Sequence, residues 1–338
     1  MRAERFDAVF VAVGARLAKR AYLPAGDSAR MLDALSVLRA VADGEPPLLG
    51  RRVVVYGGGN TAMDVARSAR RLGASEAVVV YRRTRDRMPA QSFEVDEAIE
   101  EGVRMRWLST IAYADGGSVT VERMRLDDTG FPQPTGEFED LPADSVVLAI
   151  GQRVDESLLD GVPGVDMVDD GVAVGPDMMT GHAGVFAGGD AVPSQRTVTA
   201  SIGHGKRAAR HIDAWLGGTT YTRPPRPALA GFDRLNTWYY SDAPATVRPK
   251  LDLARRTSTF DEVVGTLDEQ TALFEARRCL SCGNCFECDN CYGMCPDNAI
   301  VKLGPGQGFA IDYDYCKGCG ICVTECPCGA IELVPERT

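Results

Sequence analysis

The residues with the clearest chemistry are cysteines near the carboxyl-terminal end. All eleven cysteines of the 338-residue chain lie at or beyond position 279. Eight of them form two runs of the pattern C-x2-C-x2-C-x3-C-P: Cys285, Cys288, Cys291 and Cys295, then Cys316, Cys319, Cys322 and Cys326. The second run repeats the first 31 positions later, which indicates an internal duplication. A disulfide framework would rarely leave most of a chain without a cross-link, so this clustering predicts metal binding.

The choice of metal lies between iron–sulfur clusters and zinc, because both bind soft thiolate ligands. Pairs of C-x2-C also form tetrahedral zinc sites, but a zinc site has no use for two identical four-cysteine runs that end in proline. The runs resemble those of bacterial two-cluster ferredoxins, which implies two [4Fe–4S] clusters. In that family the fourth cysteine of each run binds the cluster of the other run. The implied ligand sets are Cys285, Cys288, Cys291 and Cys326 for one cluster, and Cys316, Cys319, Cys322 and Cys295 for the second.

Three cysteines remain outside these sets. Cys328 occupies the position of Asp297 in the other repeat, which argues against a ligand role. Cys279 and Cys282 continue the spacing backwards. They are either ligands of a further or alternative site, or bystander thiols at the end of a helix predicted over residues 267–278.

A second motif follows a predicted buried strand at residues 51–56. It has the pattern G-x-G-x-x-A and opens an alanine-rich helix; its candidate binding residues are Gly57, Gly59, Asn60, Thr61 and Ala62. Gly57 allows a tight turn, Gly59 lets the backbone approach a pyrophosphate, and Ala62 permits close helix packing. The helix N-terminus favours phosphate binding. Because strand and helix flank the motif, it predicts a dinucleotide site rather than an ordinary turn.

The next predicted strand, at residues 77–81, ends in Arg82 and Arg83. An NAD-specific site would place Asp or Glu there for the ribose 2′-hydroxyl, whereas arginine suits a 2′-phosphate. This predicts NADP(H) as the nucleotide. The alternative for both arginines is a solvated loop, and Arg85 and Arg87 are predicted to lie on the surface.

With these motifs in place, the chain resembles the family of the glutamate synthase small subunit over residues 5–215. The shared segments, in order, are 57–64, 82–83, 88–90 and 184–190. The resemblance implies a flavoprotein that passes electrons between NADPH, FAD and iron–sulfur clusters. It also implies that Gly189 and Asp190 bind FAD, and that Thr197 begins a helix whose N-terminus faces the flavin. From its own context, Asp190 is equally a turn aspartate.

The same resemblance places the glycine-rich loop for the FAD pyrophosphate upstream of residue 5. Three alternatives follow: a partner chain supplies that half, Met1 is not the native start, or the remnant works without flavin. Because residues 1–278 contain no cysteine, thiol chemistry beside a flavin is excluded. The three histidines, His182, His204 and His211, are predicted to be structural, and no catalytic acid or base is expected.

The composition of the chain excludes some classes of binding partner. The chain is 45% apolar and 25% charged, with a formal net charge of −10, so a nucleic acid or an anionic membrane would be repelled. No apolar run reaches the roughly 20 residues of a membrane helix. Four of the residues at positions 2–7 are charged, where a signal peptide would become apolar. We therefore expect a cytoplasmic protein that binds neither nucleic acid nor membrane.

These observations predict an α/β protein with a Rossmann-like NADP-binding domain inserted in a partial FAD-binding domain, plus a small α+β ferredoxin-like domain. The expected boundaries are a partial flavoprotein domain and crossing segment at 1–50, the nucleotide domain at 51–150, the return into the FAD-binding domain at 151–218, a linker and helix at 219–278, and the ferredoxin-like domain at 279–338.

The expected function is that of an oxidoreductase subunit that transfers electrons between NADPH, a flavin and two [4Fe–4S] clusters. The cofactors carry this chemistry, while the protein positions them. Expected partners are ferredoxin or a 2-oxoacid oxidoreductase, and a chain that supplies the FAD-binding half. Two alternatives are a non-enzymatic electron-transfer module and a glutamate synthase small subunit. The cysteines of the usual glutamate synthase subunit precede the flavin domain, which disfavours the last alternative.

Overall fold

The computed structural model describes residues 6–19, 23–26, 30–224 and 228–335. The chain forms two compact units. The first contains the described residues up to Tyr221 together with Leu251–Val263, and the second contains Thr222–Lys250 and the residues from Val264 onward. The predicted flavoprotein segment at 1–5, the prolines of the predicted linker at 225–227 and the last residues of the predicted ferredoxin-like domain at 336–338 lie outside the described residues.

The elements of the first unit are numbered in chain order. Its strands are β1 (Val9–Val11), β2 (Leu17–Ala18), β3 (Met31–Asp33), β4 (Arg52–Tyr56), β5 (Glu76–Tyr81), β6 (Arg104–Trp107), β7 (Ser109–Asp115), β8 (Gly117–Leu126), β9 (Pro132–Ala143), β10 (Ser145–Leu148), β11 (Gln152–Arg153), β12 (Met167–Val168), β13 (Gly171–Val172) and β14 (Val185–Ala187). Its helices are α1 (Ala34–Ala42), α2 (Asn60–Arg71), α3 (Ser92–Glu100), α4 (Val198–Leu216) and α5 (Leu253–Arg256).

The centre of the first unit is a five-stranded parallel sheet in the order β3-β10-β4-β5-β6. Val53 and Val55 pack on one face with residues such as Met63 of α2. Val54 packs on the other face against the antiparallel sheet β7-β8-β9, where it meets Ile111. A parallel sheet covered on both faces needs a continuous apolar run, which explains why residues 53–55 are all valine. The predicted Rossmann-like domain is confirmed.

Two strand pairs lie outside this central sheet. Strand β1 runs parallel to β14, with Val9 opposite Val185, and β2 runs antiparallel to β11, with Leu17 opposite Arg153. Because β1 precedes the central sheet in the chain and β14 follows it, the nucleotide domain is an insertion, as predicted. Helix α4 packs beside β14 through Ala208. Among the described residues, the β1–β14 sheet contains two strands.

The second unit holds the duplicated cysteine runs. Its elements are α6 (Glu269–Arg277), α7 (Asn290–Met294), β15 (Ile300–Gly304), β16 (Gly308–Ile311) and α8 (Ile321–Thr324). Strands β15 and β16 form an antiparallel hairpin. The short helices α7 and α8 begin at equivalent positions of the two repeats, in agreement with the predicted α+β ferredoxin-like domain. Helix α6 falls within the helix predicted over residues 267–278.

The region predicted as a linker and helix, 219–278, differs from that expectation. Leu251–Val263 belongs to the first unit, where Arg256 is 5% exposed. The Arg256 guanidinium donates to the Glu101 carboxylate at 3.2 Å and to the Glu100 carboxylate at 2.9 Å. A buried arginine needs carboxylate partners, and nothing in the local sequence around residue 256 identifies them.

Glu101 is the centre of this charged network. Its side chain is fully buried and accepts two hydrogen bonds from Arg67, at 2.9 and 2.7 Å. Arg71 forms a further ion pair with it at 3.5 Å. Burial alone would raise the pKa of Glu101, but the hydrogen bonds from Arg67 and the nearby arginine charges hold that pKa below its usual value. The carboxylate therefore ties α2, the end of α3 and residues 251–263 together.

We expect Arg256→Ala to release the segment 251–263, because Glu101 and Glu100 would lose a buried partner. The protection of backbone amides in this segment should fall by about 2 kcal/mol, roughly thirtyfold in exchange rate. Hydrogen–deuterium exchange measures this directly. Arg255→Ala is the matched control: its ion pair with Asp261 is largely exposed, and such pairs contribute under about 1 kcal/mol. Equal effects of both substitutions would contradict the role given to Glu101.

Candidate functional site

The glycine loop after β4 is fixed by a close backbone contact. Gly57 has a φ of 154°, and a Cβ built on it would lie 2.2 Å from the Ala149 carbonyl oxygen. A Cβ on Gly58 would lie 2.3 Å from the Tyr81 ring. Both positions exclude any larger residue. The loop after β4 therefore crosses directly over the loop after β10, as expected for the tight turn predicted at Gly57.

The start of α2 is open where a phosphate would approach. A Cβ on Gly59 would meet no atom within 4 Å, and Gly59 is the N-cap residue without a side-chain hydrogen bond to the helix. The N–H groups of Asn60 and Thr61 belong to the first turn, where helical N–H groups have no intrahelical acceptor. Ala62 is completely buried. This arrangement fits pyrophosphate binding at a helix N-terminus.

Residues 57–61 line a cavity of about 770 Å³ at the carboxyl edge of the central sheet. Arg82, Arg83 and Arg87 contribute its cationic lining. Among the described residues, the buried Nε of Arg83 has no hydrogen-bond partner. Arg85 instead pairs with Asp96. Arg87 contributes to the lining, but its side chain is 60% exposed, in agreement with the predicted surface position.

Residues from the FAD-binding half contribute to the same cavity. Asp190, Gln195 and Arg196 line it, and Arg196 donates to the Gln152 carbonyl at 2.7 Å. Arg196 has a left-handed φ of 50°, a conformation that the sequence does not signal. Asp190 is recognisable in the sequence because it belongs to a motif. Gln195 and Arg196 belong to no recognisable motif and were not predicted.

The two other residues predicted for flavin binding lie beside the cavity. Gly189 has a φ of 67° and precedes Asp190, whose carboxylate accepts a hydrogen bond from the Ser201 hydroxyl at 3.3 Å. Thr197 is the N-cap residue of α4, and its hydroxyl accepts from the Ala200 N–H at 3.2 Å. The helix therefore begins at the residue the resemblance indicated. The roles of all three residues toward a flavin stay predictions.

The duplication in the second unit extends to backbone geometry. The N–H of Ala299 donates to Cys295 Sγ, and the N–H of Ala330 donates to Cys326 Sγ, both at 3.3 Å. Donation of this kind to a ligand sulfur suits an iron–sulfur cluster. Three left-handed positions also recur 31 residues apart. They are Glu287, Asp289 and Asn298 in the first repeat, and Gly318, Gly320 and Gly329 in the second.

The two acidic residues of the first repeat that have a left-handed backbone conformation are held by side-chain contacts, which glycine at the equivalent positions cannot make. The Glu287 carboxylate accepts from the N–H groups of Gly306 at 3.1 Å and Gly308 at 2.8 Å, and these bonds lower the pKa of Glu287. Asp289 forms an ion pair with Lys302 at 2.8 Å. The hairpin β15–β16 and its turn thus hold the first ligand loop in a conformation that non-glycine residues rarely adopt.

Cys291 lies near the other members of its predicted ligand set. Burial raises the pKa of this thiol, the neighbouring thiols of Cys288, Cys285 and Cys326 also raise it, and the net value is about 11. These four cysteines are the set implied for the first cluster, including the crossover from the second run. Burial likewise raises the pKa of Cys322, with added effects from Cys316 and Cys319. Cys295 remains assigned to that second set by the resemblance.

The cysteines do not close around a single ion. Within the described ranges, no three His, Cys, Asp or Glu side chains are placed to hold one metal ion. Cys328 is buried, and its Sγ lies 3.9 Å from Cys326 Sγ. Cys279 is exposed and Cys282 is half-buried. The alternatives for Cys279 and Cys282 stay open.

We expect replacement of both Arg82 and Arg83 by Ala to weaken NADPH binding about a hundredfold or more, because each arginine can make a charge-assisted hydrogen bond of about 1.5–3 kcal/mol to the 2′-phosphate. NADH binding should change little. Titration calorimetry with both nucleotides measures the difference. Arg85→Ala is the matched control, since Arg85 pairs with Asp96. Equal losses for NADPH and NADH would refute the 2′-phosphate assignment.

We expect Cys291→Ala to halve the iron content of anaerobically purified protein, because one cluster would lose a buried ligand. The total should fall from about eight to about four iron atoms per chain. Cys328→Ala, which removes a buried thiol outside the predicted sets, should keep the full content. An iron assay and electron paramagnetic resonance of the reduced protein measure both variants. Unchanged iron in Cys291→Ala would contradict the ligand set.

The comparisons with known proteins match both halves of the chain. Residues 2–205 match the family "Pyridine nucleotide-disulphide oxidoreductase", and residues 284–330 match the family "4Fe-4S dicluster domain". The second match confirms the prediction of two [4Fe–4S] clusters over zinc. The matched residues 2–205 contain no cysteine, so they hold no thiol pair of the kind that the first family's name suggests.

The chain matches parts of two longer curated relatives. It is 38% identical over 302 residues to the NADP(+)-dependent formate dehydrogenase subunit beta of Moorella thermoacetica, covering 82% of this chain and 42% of that protein. It is 30% identical over 239 residues to the glutamate synthase [NADPH] small chain of Escherichia coli K12, covering 62% of this chain and 51% of that protein. The chain spans about half the length of these relatives, or less.

The fold has a solved counterpart. Mycobacterium tuberculosis FprA in complex with NADPH aligns with a TM-score of 0.52 at 19% identity, covering 66% of this chain and 67% of FprA. This supports the α/β architecture of the first unit. None of the described helices is long and apolar enough to cross a membrane. The resemblance to the glutamate synthase small subunit and its relatives is confirmed: this chain belongs to the pyridine nucleotide-disulphide oxidoreductase family and carries a 4Fe-4S dicluster domain.

Proposed function

We propose that this chain is an oxidoreductase subunit that transfers electrons between NADPH and two [4Fe–4S] clusters by way of a flavin. One observation carries the proposal. A single cavity is lined by the glycine loop, by Arg83 with an unpartnered buried Nε, and by Asp190 of the FAD-binding half. The same chain carries the duplicated cysteine runs. Nucleotide, flavin and cluster chemistry therefore all have candidate residues on one polypeptide.

The residues of the cavity act by binding and orientation. The start of α2 would hold the pyrophosphate, because its N–H groups and the helix dipole favour an anion. Arg82, Arg83 and Arg87 would hold the 2′-phosphate and so select NADPH over NADH. A bound flavin supplies the conversion between two-electron hydride transfer and one-electron transfer to clusters. No side chain needs to act as an acid or base in this scheme.

The FAD-binding half supports the proposal of an added structural element. Strands β1 and β14 form a two-stranded parallel sheet in the described residues, whereas parallel sheets are normally covered and extended by further strands. On α4, Val198 is 77% exposed and Ile202 is 66% exposed. We propose that a βαβ unit with the FAD pyrophosphate loop completes this sheet, either on the same polypeptide or on a partner chain.

The electron-transfer partner is proposed to be a redox protein. The relatives named above are a formate dehydrogenase subunit and a glutamate synthase small chain, and both names denote parts of larger enzymes. Ferredoxin and a 2-oxoacid oxidoreductase remain the proposed partners, in the cytoplasm, with no nucleic acid or membrane. A glutamate synthase role is disfavoured, because the cysteine runs follow the nucleotide domain here.

A second candidate is a cluster-bearing electron carrier without enzymatic activity of its own. The two-stranded β1–β14 sheet favours it, because FAD binding would then depend on another element. Under this alternative the chain would bind NADPH without oxidising it. Partner chains would bind the flavin and catalyse the oxidation of NADPH.

The deciding experiment is an assay of iron and acid-extractable flavin on this chain purified without oxygen, followed by addition of NADPH. We expect about eight iron atoms per chain. Bound FAD, with loss of cluster absorbance when NADPH is added, would support the first candidate and would show that FAD binding does not require the added βαβ unit. The variant with Arg82 and Arg83 replaced by Ala should keep its iron and flavin but react slowly with NADPH. Iron without flavin, and no reaction with NADPH, would favour the electron carrier. A chain without iron would contradict both candidates.

A further inference from the structure

Residues 228–240, which fall within the predicted linker, lie against the turn that follows the second cysteine run. The backbone N–H of Asn236 donates to the Pro327 carbonyl at 3.1 Å, and its side-chain amide donates to the Thr324 carbonyl at 2.7 Å. Thr324 and Pro327 flank Cys326, the predicted crossover ligand of the first cluster. Asn236 thus holds the backbone on both sides of this cysteine.

Arg234 fixes the chain just beyond the same turn. Its guanidinium donates to the Gly329 carbonyl at 3.2 Å and forms an ion pair with Glu332 at 3.8 Å. Gly329 has a left-handed φ of 63°, and a Cβ on it would lie 2.8 Å from the Arg234 carbonyl oxygen. The glycine is therefore required both by its conformation and by the close approach of this segment.

The amino-terminal end of the segment is held against residues 281–283. The N–H of Ala230 donates to the Cys282 carbonyl at 3.2 Å, and the N–H of Gly283 donates to the Cys328 carbonyl at 2.6 Å. A Cβ on Gly283 would lie 2.7 Å from the Ala228 carbonyl oxygen. Backbone hydrogen bonds thus join three short segments, which are residues 228–230, 281–283 and 326–329. This packing explains why glycine occupies positions 283 and 329.

Two tyrosines continue the contact toward the first cluster set. The Tyr239 hydroxyl donates to Glu325, next to Cys326, and the Tyr240 hydroxyl donates to the Leu280 carbonyl at 3.2 Å. Residues 228–240 therefore contact the chain both immediately before and immediately after Cys326. Four side chains of the segment contribute: Arg234, Asn236, Tyr239 and Tyr240.

The equivalent turn of the first repeat is held differently. It follows Cys295, the predicted crossover ligand of the second cluster, and it is joined to the other run by the ion pair between Asp297 and Lys317 at 3.1 Å. The Lys317 side chain is 57% exposed and that of Asp297 is 32% exposed, so the pair contributes little to stability. Beyond the turn, the Asp312 N–H donates to the Ala299 carbonyl at 2.8 Å, where the hairpin β15–β16 begins. The hydrogen bonds that hold the turn after Cys326, in contrast, come from a separate segment of the chain.

We propose that residues 228–240 are a clamp that positions Cys326 and makes the cluster bound by Cys285, Cys288, Cys291 and Cys326 the slower of the two to lose iron. Loss of iron requires a ligand to leave the cluster, and the clamp holds the backbone of one ligand on both sides. Arg234 and Asn236 are positioning residues in this scheme. The inference rests on the proposed cluster-bearing function and on its predicted ligand sets.

The test measures iron release to excess bipyridyl under anaerobic conditions, with the full chain. The unmodified protein should release iron in two phases. Asn236→Ala should accelerate the slow phase about tenfold, because the side-chain hydrogen bond to the Thr324 carbonyl is lost, and it should leave the fast phase unchanged. Arg234→Ala is a second variant with the same expected direction. Thr237→Ala, at an exposed position in the same segment, is the matched control.

Two backgrounds assign the phases. A chain with Cys319→Ser should keep only the clamped cluster, and Asn236→Ala should accelerate its release. A chain with Cys288→Ser should keep only the other cluster, and Asn236→Ala should leave its release unchanged. If both clusters are present and Asn236→Ala changes neither phase, or changes both equally, the clamp is refuted while the proposed function stands. Absence of iron from the unmodified chain would refute both.

Discussion

The nucleotide site depends on the close crossing of two loops at the carboxyl edge of the parallel sheet. Strands β4 and β10 are neighbours, so the loops that follow them leave the sheet side by side, and only a residue without a side chain fits at Gly57 against the Ala149 carbonyl. This contact places the start of α2 and the crossing segment at residues 149–152 along one cavity. Residues as distant in sequence as Arg83 and Asp190 then share one site.

Charge is distributed unevenly over this framework. The chain carries a formal net charge of −10, yet four arginines line the cavity: Arg82, Arg83, Arg87 and Arg196. A cationic cleft in an acidic protein focuses the field on a small anion while the rest of the surface repels polyanions. The arginines around Glu101 have a different role, because their charges are matched by carboxylates in the interior and hold the chain together.

The parts of the structure that could be predicted from sequence are local. The glycine loop with its flanking strand and helix spans 20 consecutive residues, Arg52–Arg71, and each cysteine run with its proline spans 12, so spacing alone identified them. The contribution of Arg196 and the buried pairing of Arg256 with Glu101 could not be predicted. Each depends on partners far away in the chain or on a backbone conformation that has no sequence signature. For the same reason the contacts of residues 228–240 with the second cysteine run could not be predicted.

The left-handed positions of the two repeats show that the duplicated halves have become specialised. The second repeat uses glycine at all three positions, whereas the first uses Glu287, Asp289 and Asn298, with two of these side chains anchored to the hairpin or its turn. The halves are therefore no longer interchangeable. A copy of the first loop moved to the second location would lack its anchoring N–H groups, and further divergence of this module is constrained by the hairpin as much as by the cysteines.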